Sequence, residues 1–230
     1  MVYKMTTQEI STKADEARIL ISRLLDASQS ACFTNSFQAE DMVVLHLLRE
    51  RRPDIPVLFL ETGYHFADVY QYRDEMTERY KLNLVNLQKE SVAEHEKKHG
   101  ELFRTQPDQC CKLRKVAPLF EALEGYDTWF TGLRRVQSLT RANLQIEDEF
   151  PLPSGKHILK VSPLAHWSDR EVWAFAKEHQ IPLLPLYNRG YTSIGCEPCT
   201  ALPGDPNNLR SGRWAGAGKI ECGIHIAEEH

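Results

Sequence analysis

Four of the six cysteines fall into two pairs, and these pairs give the first sign of chemistry. Cys110 and Cys111 are adjacent, and Cys196-Glu-Pro-Cys199 is a C-x-x-C. Four thiolates are a complete ligand set for an iron–sulfur cluster or for zinc. Structural zinc sites usually join two knuckles of the C-x₂₋₄-C type. Neighbouring cysteines on a helix instead point about 100° apart. That suits different metal atoms of a cluster better than one small ion, so the spacing favours iron–sulfur over zinc. Both pairs sit in polar contexts, PDQCCK and GCEPCT. Cys32, in an apolar run, reads as packing alone. Cys222 differs again: it lies in KIECGIH, after a glycine-rich stretch. There His225 and Lys219 could favour the thiolate, the nucleophilic form.

Cationic residues give the second sign. The chain carries 28 basic and 32 acidic residues, a net charge of −4, which speaks against a globally basic nucleic-acid binder. The cations are grouped, however: Lys112, Arg114 and Lys115; Arg134, Arg135 and Arg141; Arg210, Arg213 and Lys219. Local cationic groups in an acidic protein suit a small anionic ligand held in a pocket.

The elements that must position these residues alternate. Ile10, Ala14, Ala17, Ile21 and Leu24 mark a helix over residues 7–27. ACFTNS (31–36), VLFL (57–60), LVNL (84–87), DTWFTG (127–132) and HILKVSPL (157–164) read as strands. Helices are expected at 40–52, 64–81, 91–99, 109–123 and 169–180, with Ser168 capping the last. Pro118 should kink or break its helix. Such alternation argues for a parallel sheet covered by helices on both faces. Ligands of such sheets bind beyond the carboxyl ends of the strands, which singles out SFQAED after the first strand and LETG (60–63) after the second. The last 40 or so residues are rich in glycine and proline, without helical period, and read as a partly mobile tail. With 230 residues, one domain is expected. No apolar run reaches the ~20 residues of a membrane span, and MVYKMTTQEI lacks the apolar core of an export signal. A soluble cytoplasmic protein, with neither nucleic acid nor membrane as partner, is the expectation.

Taken together, SFQAED, LETG, CCKLRKV, TGLRR, GCEPCT and KIECGIH closely resemble the assimilatory sulfonucleotide reductases, in the adenylylsulfate (APS) branch with a CC…CxxC signature. The resemblance spans residues 33–225. It implies a three-layer α/β fold of the adenine-nucleotide α-hydrolase-like kind, related to the PP-loop enzymes. Residues 1–203 would form the sulfonucleotide-binding domain with the cluster site, and 204–230 the glycine-rich tail. It implies reduction of APS, or of its 3′-phosphorylated form PAPS, to sulfite and the nucleotide, with electrons from thioredoxin or glutaredoxin. Relatives commonly assemble, which makes a homo-oligomer compatible with it. Cys222 would be the nucleophile, His225 would orient or help ionise it, and Cys110, Cys111, Cys196 and Cys199 would hold a [4Fe–4S] cluster. Lys115, one helical turn beyond Cys111, would lie between cluster and substrate sulfate. Ser36, Phe37 and Gln38 stand where PP-loop enzymes carry an S-G-G pattern, and Thr62 and Gly63 would lie against the adenosine. Arg134, Arg135, Arg210 and Arg213 are the candidates for phosphate and sulfate. The alternative is a PP-loop, ATP-dependent sulfur- or tRNA-modifying enzyme with a structural four-cysteine zinc. The replaced glycines and the terminal ECGIH count against it.

Overall fold

The computed structural model describes residues 7–89, 92, 96–97, 100–205, 208–214, 219, 221 and 223–224. Six strands form one sheet: β1 (Ala31–Thr34), β2 (Pro56–Leu60), β3 (Asn83–Leu87), β4 (Thr128–Phe130), β5 (Glu147–Pro151) and β6 (His157–Val161). Their order is β3-β2-β1-β4-β6-β5. All neighbours pair in parallel except β5, which runs antiparallel to β6.

Successive side chains of a strand face opposite sides of the sheet, and here both sides are covered. Phe33, Val57, Phe59, Phe130 and Val161 join one core. It is closed by α1 (Thr7–Ala27), α2 (Ala39–Arg51), α3 (Ala67–Tyr80) and α7 (Asp169–Glu178). Cys32, Leu58, Trp129 and Ile158 join the second, closed by Leu119, Phe120 and Leu123 of α6 (Ala117–Leu123). The result is the expected three-layer α/β architecture. Its central strands read as near-continuous apolar runs because neither face meets water.

Two features depart from the sequence reading. The edge strand β5 was not expected: EDEFP buries only Phe150 and leaves its other residues exposed. The second concerns Pro118. The helix does not break there; after the short helix α4 (Leu102–Thr105), α5 (Pro107–Cys111) passes through a π-helical turn, Lys112–Val116, into α6. Ala117 N–H bonds the Lys112 carbonyl, five residues back. Proline can give no N–H to the carbonyl four residues before it, and its ring crowds that carbonyl. A widened turn absorbs the conflict, and it carries Lys115.

Elsewhere boundaries agree closely. Helix α1 spans the expected residues, and α7 starts with a reciprocal cap: Ser168 Oγ accepts from Glu171 N at 3.3 Å, and Ser168 N donates to Glu171 Oε2 at 2.6 Å. The helix expected at 91–99 lies mostly outside the described residues, although 92, 96 and 97 are helical. Among the described residues, no helix is long and apolar enough to cross a membrane.

Candidate active site

Where β1 lies between β2 and β4 the strand order changes direction, and a cavity of about 1290 Å³ opens at the carboxyl ends of these strands. Thr34, Asn35, Ser36, Leu60, Thr131 and Gly132 form part of its floor. The loop after β1 is held by its own polar groups. Ser36 N and Oγ both donate to Asp41 Oδ2, at 2.7 and 2.5 Å, and Phe37 N donates to Asn35 Oδ1 at 2.6 Å. Phe37 has φ +60°, a left-handed conformation that favours glycine. Its ring packs edge-on against Phe59 and Tyr72. The backbone thus keeps the shape a glycine would supply, while the side chain lies in the core and does not line the cavity. Gln38 does line it, and ties two loops together: Nε2 donates to Ser36 Oγ at 3.1 Å, and Oε1 accepts from Ile194 N at 2.8 Å.

Burial pushes the Asp41 carboxyl up to about 7, with Glu40 adding to the rise and bonds from Ser36 and Gly132 partly offsetting it. A Cβ on Gly132 would lie 2.0 Å from Asp41 Oδ1, so only glycine fits the turn after β4. His65, on the same wall, is pushed down to about 4 by burial, and the Lys115 charge adds to the fall.

All four candidate arginines line the cavity, but they are not equivalent. Arg134 is braced: its guanidinium donates to Asp169 Oδ1 at 2.6 Å and Trp167 O at 3.3 Å. Arg135 donates through Nε to Leu144 O at 2.7 Å. Arg213 lies 4.4 Å from the Trp214 ring centre and bonds Ile194 O at 3.3 Å. A Cβ on Gly195 would come 2.3 Å from its Nη2. Arg210 bonds Glu221 at 3.2 Å.

Beside this cavity lies a second, smaller one that Cys110, Cys111, Cys196 and Cys199 line together with Tyr64, Phe103 and Arg114. Two residues line both cavities, Lys115 and Trp214. No cysteine among the described residues is in a disulfide. Burial pushes Cys110 up to about 12 and raises Cys199, and neighbouring thiols add to both. Burial acts on Cys196 in the same sense, but the Lys115 charge, the Thr62 hydroxyl and Arg213 outweigh it, and the net shift is downward. Among the described residues, no three His, Cys, Asp or Glu side chains converge as a site for a single ion.

The LETG turn stands between the two: Leu60 lines the larger cavity, while Thr62 and Gly63 contact residues that line the smaller one. Thr62 is fully buried and its Oγ1 accepts from Cys196 Sγ at 3.4 Å. Its carbonyl accepts from Arg114 at 2.6 Å. Gly63 has φ +74° and lies near Arg114. Neither Thr62 nor Gly63 lines the larger cavity. Sequence reading did not single out Asp41, His65, Trp214 or Glu221. SFQAED contains the first and ECGIH the last, but nothing in the motifs says which of their side chains point inward. Cys222 and His225 lie outside the described residues.

Solved structures share the fold. Phosphoadenylyl-sulfate reductase from Candida auris, a phosphate complex, superposes with a TM-score of 0.69 at 24% identity, over 86% of this chain and 98% of that one. Candida glabrata FMN adenylyltransferase with FMN and an ATP analogue gives 0.64 at 17% identity, over 88% and 70%. Sheet order and these likenesses therefore define an adenine-nucleotide α-hydrolase-like fold. Residues 30–202 match the phosphoadenosine phosphosulfate reductase domain. The adenosine 5′-phosphosulfate reductase of Rhodococcus opacus is 44% identical over 210 residues, 87% of this chain and 83% of its own length. This chain belongs to the phosphoadenosine phosphosulfate reductase family.

Proposed function

We propose that the chain reduces adenylylsulfate to sulfite and AMP in assimilatory sulfate reduction, the reaction for which its 44% identical relative is named. The Cys222 thiolate attacks the sulfate sulfur. The bond from sulfur to the bridging oxygen breaks, its electron pair leaves with AMP, and Cys222 carries an S-sulfo group. A thiolate of a reduced dithiol protein, thioredoxin or glutaredoxin, then attacks the Cys222 sulfur and expels sulfite. The mixed disulfide is resolved by the second thiol, which returns Cys222 as thiolate. The dithiol thus supplies both electrons. His225 orients Cys222 or helps ionise it. The tail must both close on substrate and present the intermediate to the reductant. The cytoplasm, which keeps dithiols reduced, suits this chemistry.

The observation that carries the reading is the place of Lys115. It is buried, lines both cavities, and lowers the Cys196 thiol. An ammonium held there, away from bulk water, stabilises charge developing on the leaving oxygen. Cys110, Cys111, Cys196 and Cys199 fit a [4Fe–4S] cluster: they are four soft donors around one cavity, and none is in a disulfide. When bound, the cluster supplies fixed charge and rigidity beside Lys115. Arg135, Arg210 and Arg213, with the Ser36–Gln38 loop, receive phosphate and sulfate. Arg134 holds the wall through Asp169. Phe37, Thr62 and Gly63 shape the loops from behind.

Steady-state sulfite release with thioredoxin, comparing APS with PAPS, tests the reading. Turnover of APS is expected, with PAPS slower or inert. Cleavage of ATP to AMP and pyrophosphate, with APS silent, would overturn it.

A further inference from the structure

The wall of the larger cavity contains a carboxylate that this scheme leaves unused. Glu221 has a side chain only 7% exposed, and its Oε1 accepts from Arg141 Nη2 at 2.9 Å and Arg210 Nη2 at 3.2 Å. Its other oxygen accepts from Thr140 Oγ1 at 3.5 Å. Arg141 also donates to Gln137, and Gln137 donates to Glu40 at the start of α2. A relay of charge-assisted bonds therefore runs from Glu221 to the start of α2. The chain is held on the other side of position 222 as well. Ile224 packs against the second core, and a Cβ on Gly223 would lie 3.8 Å from Val116.

Two half-buried guanidinium groups and an exposed hydroxyl on one largely buried carboxylate make a strong point of attachment, since losing the arginines would leave that charge poorly compensated. This attachment sits one residue before Cys222. We propose that Glu221 is a positioning residue: clamped by Arg141 and Arg210 at the wall of the larger cavity, it fixes the backbone next to Cys222 and so governs how readily that thiol reacts with the anion the cavity receives. The proposal rests on the reading of Cys222 as nucleophile.

The test uses the full chain with Glu221→Gln, which keeps the size but loses the charge, and Glu221→Asp, which keeps the charge. Alkylation of Cys222 by iodoacetamide, mapped by peptide mass spectrometry, is expected to be about tenfold faster in the Gln variant. Its kcat for APS should fall about tenfold with KM changed less than about twofold, and Asp should recover most of both. Unchanged alkylation and kcat in the Gln variant would overturn the proposal. So would equal acceleration at Cys32, which is buried in β1 and reports general loosening of the fold. Alkylation is read without turnover. If Cys222→Ser still made sulfite, the nucleophile assignment would fail, while the alkylation result would still report on the clamp.

Discussion

Lys115 shows how position decides what one charge is worth. On an exposed helix face its ammonium would be screened by water; between two cavities it acts on both. Lys115→Ala should slow transfer of the sulfo group to the enzyme by about 10²–10³-fold, as loss of a buried charge-stabilising donor does. Rapid-quench measurement of AMP release checks this, and an unchanged rate would return the residue to a packing role. Asp41 makes a second expectation at this scale. Its folded pKa, about 7, lies above the ordinary carboxylate value. The folded state therefore holds the proton more tightly, and this group's contribution to stability is present below pH ~4 and lost as pH rises through about 7. His65, pushed down to about 4, acts in the opposite sense. Its contribution is present above the ordinary imidazole range and lost as pH falls through about 4. Asp41→Asn should flatten the fall in stability between pH 4 and 7 in urea titrations, leaving the His65 loss at the acid end. The cysteine pairs stood out because their spacing marks them, and Lys115 because the family resemblance named it. Phe37 and Thr62 were not, because a motif names residues without saying which face of a turn each takes.

At the scale of elements, local chemistry sets boundaries and tertiary packing sets exceptions. The Ser168–Glu171 cap was readable because the residue types that satisfy a helix start are few. Ser168→Ala should cost about 1 kcal/mol in chemical denaturation, with the site intact. The turn after β4 is less forgiving. Gly132→Ala would drive a methyl into Asp41, and a loss of about 1–3 kcal/mol is expected from the same measurement. Strand β5 escaped notice because EDEFP has no apolar alternation; its pairing with β6 forms it, and Phe150 alone anchors it. The π-helical turn escaped for a related reason. Pro118 announces a conflict, but sequence does not say whether the helix yields by breaking or by widening.

At the scale of the molecule, the topology joins what the chain separates. One cysteine pair closes α5, and the other lies in a 3₁₀ turn beyond α7, yet both line one cavity. The parallel sheet was legible from alternating elements, since few architectures satisfy that order. That Trp214 joins Lys115 between the two cavities was not, because it depends on loops whose course no periodicity records. Chain purified without oxygen is expected to contain iron and sulfide, and Cys110→Ala to lack both by elemental analysis. Full activity in an iron-free preparation would contradict the ligand assignment.

The most direct measurement concerns the covalent step. The chain is mixed with APS in the absence of any reductant, and its peptides are weighed by mass spectrometry while AMP is counted. One SO₃ group on the Cys222 peptide, appearing in step with AMP, is the result this account predicts. AMP release with no sulfo group on the protein, or with the group on another residue, would contradict it.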